Sequence, residues 1–448
     1  MSYRPSFLAP TGHTSSSCGY CHSSSSTSVC TGAWAYELTA PHYQTLVDRG
    51  WRRSGQYCYR PALTETCCPA LTIRCDVGQF VASKSQKKVI GKWRKFLAEG
   101  KGGPTKAEEE EGKEEGMVVD AEEGAEDIPK LSSTRTNKKT KPPSTSPQQS
   151  MSSASHSQPS ALATLLTAAE TSQPDHPSSH TFHTTLTPAT YDETTYALYA
   201  LYQTTIHGDA PSKLSPKRYT QFLVDSPLPK ASPPDQPFGT FHHKYYVDDK
   251  LIAFAVLDIL PSCLSSVYFV YDPAYDKLSL GTLSALKEIV LAESLAKDIP
   301  TLRYYYMGYY IHTCPKMRYK AQYSPSDLLC PATYTWIPTD RAIPILEAEK
   351  VAPLAELGDE EAESLADSCT STDDSTLIIS KGAQRLRAVE QAALASVSDR
   401  DVRALRAFEE GALVPFGRTE TYQDTKEDVK ELYALLGEEL IQDVILVT

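Results

Sequence analysis

The chain has 448 residues, 40% of them hydrophobic and 22% charged, enough apolar material for one or two cores. Its net charge of −12 would repel a nucleic acid if evenly spread, but acid concentrates in 108–127 and after residue 345, which leaves basic regions elsewhere. No apolar run reaches the roughly 18 residues of a membrane span, and no charged-then-apolar leader opens the chain, so a cytoplasmic, or also nuclear, location is expected.

Residues 15–98 form a first block. Seven of the eleven cysteines fall within the first 75 residues. In a reducing compartment, such clustering points to metal or catalysis rather than disulfides. Cys18-Gly19-Tyr20-Cys21 is a C-x-x-C on a glycine-bearing loop, and Cys67-Cys68 supplies a second pair. Four thiolates suit zinc or an iron–sulfur cluster, and adjacent cysteines leave the choice open. Cys30, Cys58 and Cys75 are further ligand candidates. Strands are expected at Ala33–Leu38 and Leu71–Arg74. A basic amphipathic helix closes the block: Val89, Trp93, Phe96 and Leu97 share a face, and Lys84, Lys87, Lys88, Lys92, Arg94 and Lys95 cover the rest. Such a patch can carry nucleic-acid affinity by releasing counterions, or it can be a solvated helix face.

Residues 99–188 read as a linker. An acidic run leads into Ser/Thr/Pro/Gln-rich sequence that cannot bury enough apolar surface to offset its ordering entropy. A short helix is expected at Ala161–Ala169.

Residues 189–340 form a second, tyrosine-rich block. Helices are expected at Tyr191–Ile206 and Lys217–Val224. Lys244–Ile259 reads as a hairpin turning at Asp248-Asp249-Lys250, and Ser265–Tyr271 is a further strand ended by Asp272-Pro273. Ser279–Lys297 is a helix, and Leu302–Tyr310 a strand. The turn at Ser279-Leu280-Gly281-Thr282 can offer helix amides to an anion or be an ordinary start with Ser279 as N-cap. Together these suggest a mixed α/β sheet with flanking helices, similar in pattern to the acetyltransferase (GNAT/Fem-like) core. The run Tyr304–Ala321 mixes tyrosine, histidine and cations in a way that suits base stacking and anion binding. A Cys314–His312 nucleophile pair is disfavoured because no orienting acid is in view. Residues 341–448 form an acidic tail with helices near Ala383–Val397 and Lys426–Val444, which is expected to dock on the body.

Several unusual strings occur in one order: CGYC, WRRSGQYCYRP, TCCP, TIRCDV and SKSQKKVIGKWRKFL, then YQTTIHGD, FLVDSPL, SSVYFVYDP, LSLGTLSALKEI and YYYMGYYIHTCPKMRYKAQYSPSDLLCP. They resemble the eukaryotic, and within these the fungal, arginyl-tRNA–protein transferases, over about half of the chain. The resemblance implies transfer of arginine from arginyl-tRNA to the α-amine of an N-terminal Asp or Glu, or of oxidised Cys. The product is an N-degron read by ubiquitin-dependent degradation. It also implies an iron–sulfur cluster or zinc on Cys18, Cys21, Cys67 and Cys68.

Because an arginyl ester is already activated, neither ATP nor acetyl-CoA is expected. Positioning and oxyanion stabilisation should dominate. Candidates for the base are Asp272, His312 and a tyrosine such as Tyr306. For the acceptor's carboxylate they are Lys316, Arg318, His242 and His243; for the donor's guanidinium, Asp272 and Asp209; for the reacting carbonyl, Ser279 and Gly281. The basic helix would bind the tRNA. A monomer without membrane or DNA partners is expected. An acetyl-CoA-dependent acetyltransferase and a non-catalytic metal-bearing tRNA adaptor are the rival readings.

Overall fold

The computed structural model describes residues 5–103, 159–171, 179–230, 237–355 and 380–448. Most of the expected linker disorder falls on 104–158 and 172–178, outside the described residues.

Two sheets organise the chain. The first sheet has seven strands in the order β14-β13-β15-β1-β2-β4-β3. Its strands are β1 (Ser6–Ser16), β2 (Ser28–Glu37), β3 (Arg52–Ser54), β4 (Tyr57–Pro61), β13 (Arg406–Glu409), β14 (Ala412–Pro415) and β15 (Val444–Val447). The second sheet has eight strands in the order β12-β11-β5-β10-β9-β8-β7-β6. Its strands are β5 (Leu71–Asp76), β6 (Phe182–Pro188), β7 (Gly239–Val247), β8 (Lys250–Ile259), β9 (Cys263–Tyr271), β10 (Tyr304–Tyr310), β11 (Ser326–Leu329) and β12 (Trp336–Pro338).

The two sequence blocks interleave. β5, from the first block, pairs antiparallel with β10 inside the second sheet. β15, the last strand, pairs parallel with β1. The acidic tail is therefore built into the first sheet rather than merely resting on it.

β7 and β8 form the expected hairpin. Asp248 and Asp249 carry φ of 48° and 62°, the left-handed pair that a two-residue turn needs to match strand twist. Alternation along β8 then faces both sides of the sheet. Ala253, Ala255 and Leu257 pack in the core with helices α2 (Lys84–Glu99), α3 (Ala161–Glu170) and α5 (Leu280–Leu295). Phe254 and Val256 pack on the other side with α4 (Glu193–His207), Tyr219 and Leu223. A third core joins α1 (Ala40–Val47), the first sheet and α8 (Tyr422–Leu436), which follows α6 (Thr339–Ala348) and α7 (Lys381–Ser396).

The strand β6 falls in sequence that reads as linker. FHTTLTP carries little apolar signal because it is an edge strand, pairing among the described residues with β7 alone and ending on Pro188.

Candidate active site

β9 and β10 run parallel but pair only at their starts, Cys263–Ser265 against Tyr304–Tyr306. Beyond that point β9 stays with β8 and β10 with β5, and β10 bulges between Tyr306 and Tyr309. The parting opens a cavity of about 500 Å³. Crevices at the carboxyl ends of diverging parallel strands are where open α/β sheets bind ligands. Residues Ser265 to Phe269 of β9 and the Met307–Gly308 bulge of β10 form its walls. α5 turns one face towards it through Gly281, Ser284 and Glu288, and β3 contributes Arg52 and Arg53.

The charges in this cavity are unequal. Arg53 is bound on both sides by Asp258, Nε to Oδ2 at 2.8 Å and Nη2 to Oδ1 at 2.7 Å, with side chains 1% and 0% exposed. Arg52 donates to the carbonyls of Trp51 (2.6 Å), Val47 and Gly308 (both 3.3 Å) and lies against the Tyr309 ring. Lys320 donates to the Tyr309 carbonyl at 2.8 Å. Among the described residues, neither Arg52 nor Lys320 has a carboxylate partner. Burial, then the like charge of Arg52, pushes the Lys320 ammonium down to about 7. Among the described residues Glu288 is the one carboxylate lining the cavity, 1% exposed, and burial pushes its carboxyl up.

The four cysteines come together beside this cavity. The sulfurs of Cys18, Cys21, Cys67 and Cys68 all lie within 4.8 Å of one another, with Cys21 and Cys67 3.6 Å apart. They could hold a metal ion. A tetrahedral ion with ~2.3 Å metal–sulfur bonds sets its sulfurs roughly 3.8 Å apart, so the set fits one ion. Burial raises the Cys18 thiol, but the backbone N–H groups of Cys21 and Tyr20, together with the Cys67 and Cys21 thiols, outweigh it and bring the group down to about 7. Cys18 and Cys68 pack on Tyr309, Ile311 and Cys314, and Tyr20, between the first two cysteines, reaches the cavity wall. Cys30, Cys58 and Cys75 stand outside the set.

The other sequence candidates are scattered. Tyr306 is fully buried on the far face of β10, its hydroxyl on Asp48, while its neighbour Tyr305 faces the cavity. Asp272 caps the following turn by accepting from the Ala274 N–H (3.0 Å) and pairs with Lys250 at 2.9 Å. His312 is half-buried against the Tyr310 hydroxyl at 2.9 Å. None of the three lines the cavity.

His242 and His243 differ from the expectation that they bind the acceptor as cations. Both rings are buried, which pushes them down to about 4 and about 3. His242 donates to the Leu223 carbonyl at 2.9 Å, and His243 meets the Tyr245 hydroxyl at 3.1 Å. Lys316 and Arg318 are exposed on either side of Met317, which lines the cavity. Asp209 is half-buried, and its charge is felt by the cavity residue Tyr268. Ser279 is left-handed (φ 57°) and its side chain caps nothing, whereas Gly281 lies on the cavity with open space about its Cα.

The basic helix α2 forms as expected, with a Ser83/Gln86 capping box and a left-handed Gly100 at its end. Lys84, Lys87, Lys88, Lys92, Arg94 and Lys95 are all exposed, while Ile90, Trp93, Phe96 and Leu97 are buried. Lys92 donates to the Lys277 carbonyl, tying α2 to the turn that leads into α5.

Residues missed by sequence reasoning are Glu288, Arg52 and Arg53. Glu288 left a trace as the one acid in the largely apolar stretch LSALKEIVLA, beside Lys287 and four residues after Ser284. Arg52 and Arg53 stood in a strand beside Trp51, where charge is costly without a partner.

The profile described as "Arginine-tRNA-protein transferase, N terminus" matches residues 16–88, and "Arginine-tRNA-protein transferase, C terminus" matches 194–330. An "Arginyl-tRNA--protein transferase 1" of Drosophila melanogaster is 36% identical over 395 residues, covering 73% of this chain and 81% of the fly protein. An "Arginyl-tRNA--protein transferase 2" of Arabidopsis thaliana is 31% identical over 475 residues, covering 79% of this chain and 78% of the plant protein. An "Aspartate/glutamate leucyltransferase" of Stutzerimonas stutzeri is 37% identical over 143 residues, covering 31% of this chain and 53% of the bacterial protein.

Proposed function

This chain belongs to the arginyl-tRNA–protein transferase family, aminoacyltransferases that move arginine from tRNA to proteins, and on that premise we propose that its acceptors are proteins with an N-terminal Asp, Glu or oxidised Cys. The observation that carries the acceptor rule is the pair of cations, Arg52 and Lys320, facing the cavity without a carboxylate. An acidic N-terminal side chain supplies what they lack. Of the relatives, the bacterial one has aspartate and glutamate in its name. The new N-terminal arginine would act as an N-degron for ubiquitin-dependent degradation.

The parting of β9 and β10, with a helix entering between them, supports an acetyltransferase-like core for the transfer. We assign the tetrahedral oxyanion to backbone N–H groups of the Met307–Gly308 bulge, which leaves the β5 ladder and lines the cavity. Asp209, near Tyr268, is assigned to the donor's guanidinium. Lys316 and Arg318, being exposed, suit tRNA phosphates better than a buried carboxylate. Cys18, Cys21, Cys67 and Cys68 would hold one metal ion, whose chemistry is to brace two loops against β10; their spacing favours a single zinc-like ion over an iron–sulfur cluster.

Three expected results test this reading. Lys320→Met should lower kcat/KM for Asp-initiated peptides by about 10- to 100-fold, the worth of one buried charge-assisted hydrogen bond. In the parent enzyme, KM for these peptides should rise as pH climbs through about 7, because only the protonated ammonium receives the carboxylate. An unchanged KM across that range, or an unchanged Lys320→Met enzyme, removes Lys320 from the acceptor pocket. Converting Lys84, Lys87 and Lys88 to Glu should weaken tRNA binding and reduce the slope of log K against log salt by about 2. Equal slopes would take α2 out of the footprint.

A further inference from the structure

Glu288 sits in the cavity wall with both carboxylate oxygens engaged by hydroxyls rather than by cations. Oε2 accepts from Tyr305 at 2.6 Å. Oε1 accepts from Ser284 at 2.5 Å, Ser284 Oγ is 3.1 Å from the Tyr245 hydroxyl, and that hydroxyl is 3.1 Å from His243 Nδ1. All of these residues are buried. If His243 carries its proton on Nδ1, every donor in the series points towards the carboxylate: His243 to Tyr245, Tyr245 to Ser284, Ser284 to Glu288. Such an oriented chain holds one rotamer and tunes one group's basicity.

Resting on the arginine-transfer reading, we propose that Glu288 is the catalytic base, and that Ser284, Tyr245 and His243 are positioning residues that orient it. The neutral α-amine of the acceptor attacks the ester carbonyl, the C–N bond forms, and the carbonyl electron pair moves to oxygen. The nitrogen's proton passes to the Glu288 carboxylate. As the oxyanion collapses, the bond from the carbonyl carbon to the ribose oxygen breaks. That oxygen leaves with the electron pair and takes the proton from Glu288, so the carboxylate is regenerated and no other reagent is consumed. A buried carboxyl raised above its ordinary range is better matched to an amine with a pKa near 8 than an exposed one. The groups facing it are Tyr305 from β10, Ser266 from β9, Tyr245 and His243 from β7, Tyr319 and Tyr323 from the segment after β10, and Ser284 from its own helix. The neighbouring Lys287 is turned to Glu170 at 2.7 Å.

The test is arginine transfer from charged tRNA to an Asp-initiated peptide, with full kcat, KM and pH profiles for the intact chain and two variants. Glu288→Gln keeps the shape and should lower kcat about 100-fold, with little change in either KM and loss of the acid limb of the kcat profile. Tyr245→Phe breaks the chain one link back. It keeps Glu288 but removes support for its charged form, so the acid limb should move to higher pH; a purely structural role would leave that limb in place. If thermal unfolding shows Glu288→Gln misfolded, Tyr245→Phe carries the decision through that shift. A folded Glu288→Gln enzyme with full kcat, or one whose loss lies only in KM for arginyl-tRNA, overturns the proposal and makes Glu288 a donor-binding residue or a bystander. Absence of transfer by the parent chain would instead remove the reading on which the proposal rests.

Discussion

Replacing Arg53 with methionine should cost about 3–5 kcal/mol, a large share of the roughly 5–15 kcal/mol that holds a typical domain together. The reason lies in what remains. Asp258 is fully buried on β8, its Oδ1 also accepting from Thr240 at 2.6 Å, and the guanidinium from β3 is its counter-charge. Burial works against the charge of Arg53, but Asp258 more than offsets it and holds the guanidinium above its ordinary value. Without Arg53, Asp258 is a buried carboxylate with a hydroxyl for company, and a buried charge left without its counter-charge is what destabilises the variant. The double variant Arg53→Met/Asp258→Leu should recover most of the loss, because neither charge is left alone. Urea midpoints for the three proteins check this. A single variant as stable as the parent would mean that the two sheets are not joined through this pair.

Removing the ion proposed for the four thiols should have the second large effect. An ion bound at a thousand times its Kd adds about 4 kcal/mol, which corresponds to a fall of about 10 °C in Tm when it is lost. Cys18→Ala/Cys68→Ala should show that fall, and a chelator should produce it in the parent but not in the variant. The effect should also reach the cavity. The cysteine loops pack on Tyr309 and carry Tyr20 to the cavity wall, so the variant's KM for the acceptor should rise along with the loss of stability. Equal melting of parent and variant, with and without chelator, would make the four thiols free. Metal analysis of the purified chain distinguishes one zinc-like ion from iron with sulfide.

Much of this architecture is legible in the residues. The Asp248-Asp249 turn, the strand SSVYFVY and the helix after it are written in local pattern, and the observed elements fall close to those bounds. The four cysteines are also legible, because two short-spaced pairs can meet around one ion wherever the fold carries them. What fails to show is anything decided by tertiary pairing. β6 and β15 have weak alternation, since each gains its stability from a neighbour far away in the chain, β7 for the one and β1 and β13 for the other.

The site residues divide along the same line. His242 and His243 look like polar groups available for binding, yet two-residue alternation on a strand buried on both faces turns each into a different core. Tyr306 and Tyr305 differ by one position and so face opposite ways, which composition cannot reveal. Asp272 before a proline carries the mark of a cap, and a cap is what it is. Glu288, Arg52 and Arg53 are buried charges, but Arg52 and Arg53 stand in polar sequence and Glu288 follows Lys287, so their burial shows only in the fold.

The central claim is tested most directly by offering radiolabelled arginyl-tRNA and peptides beginning with Asp, Glu or Ala to the purified, metal-replete chain. The account predicts label in the Asp and Glu peptides and none in the Ala peptide. Label in all three would contradict the acceptor pocket of Arg52 and Lys320, and label in none, from a folded protein, would contradict arginine transfer by this chain.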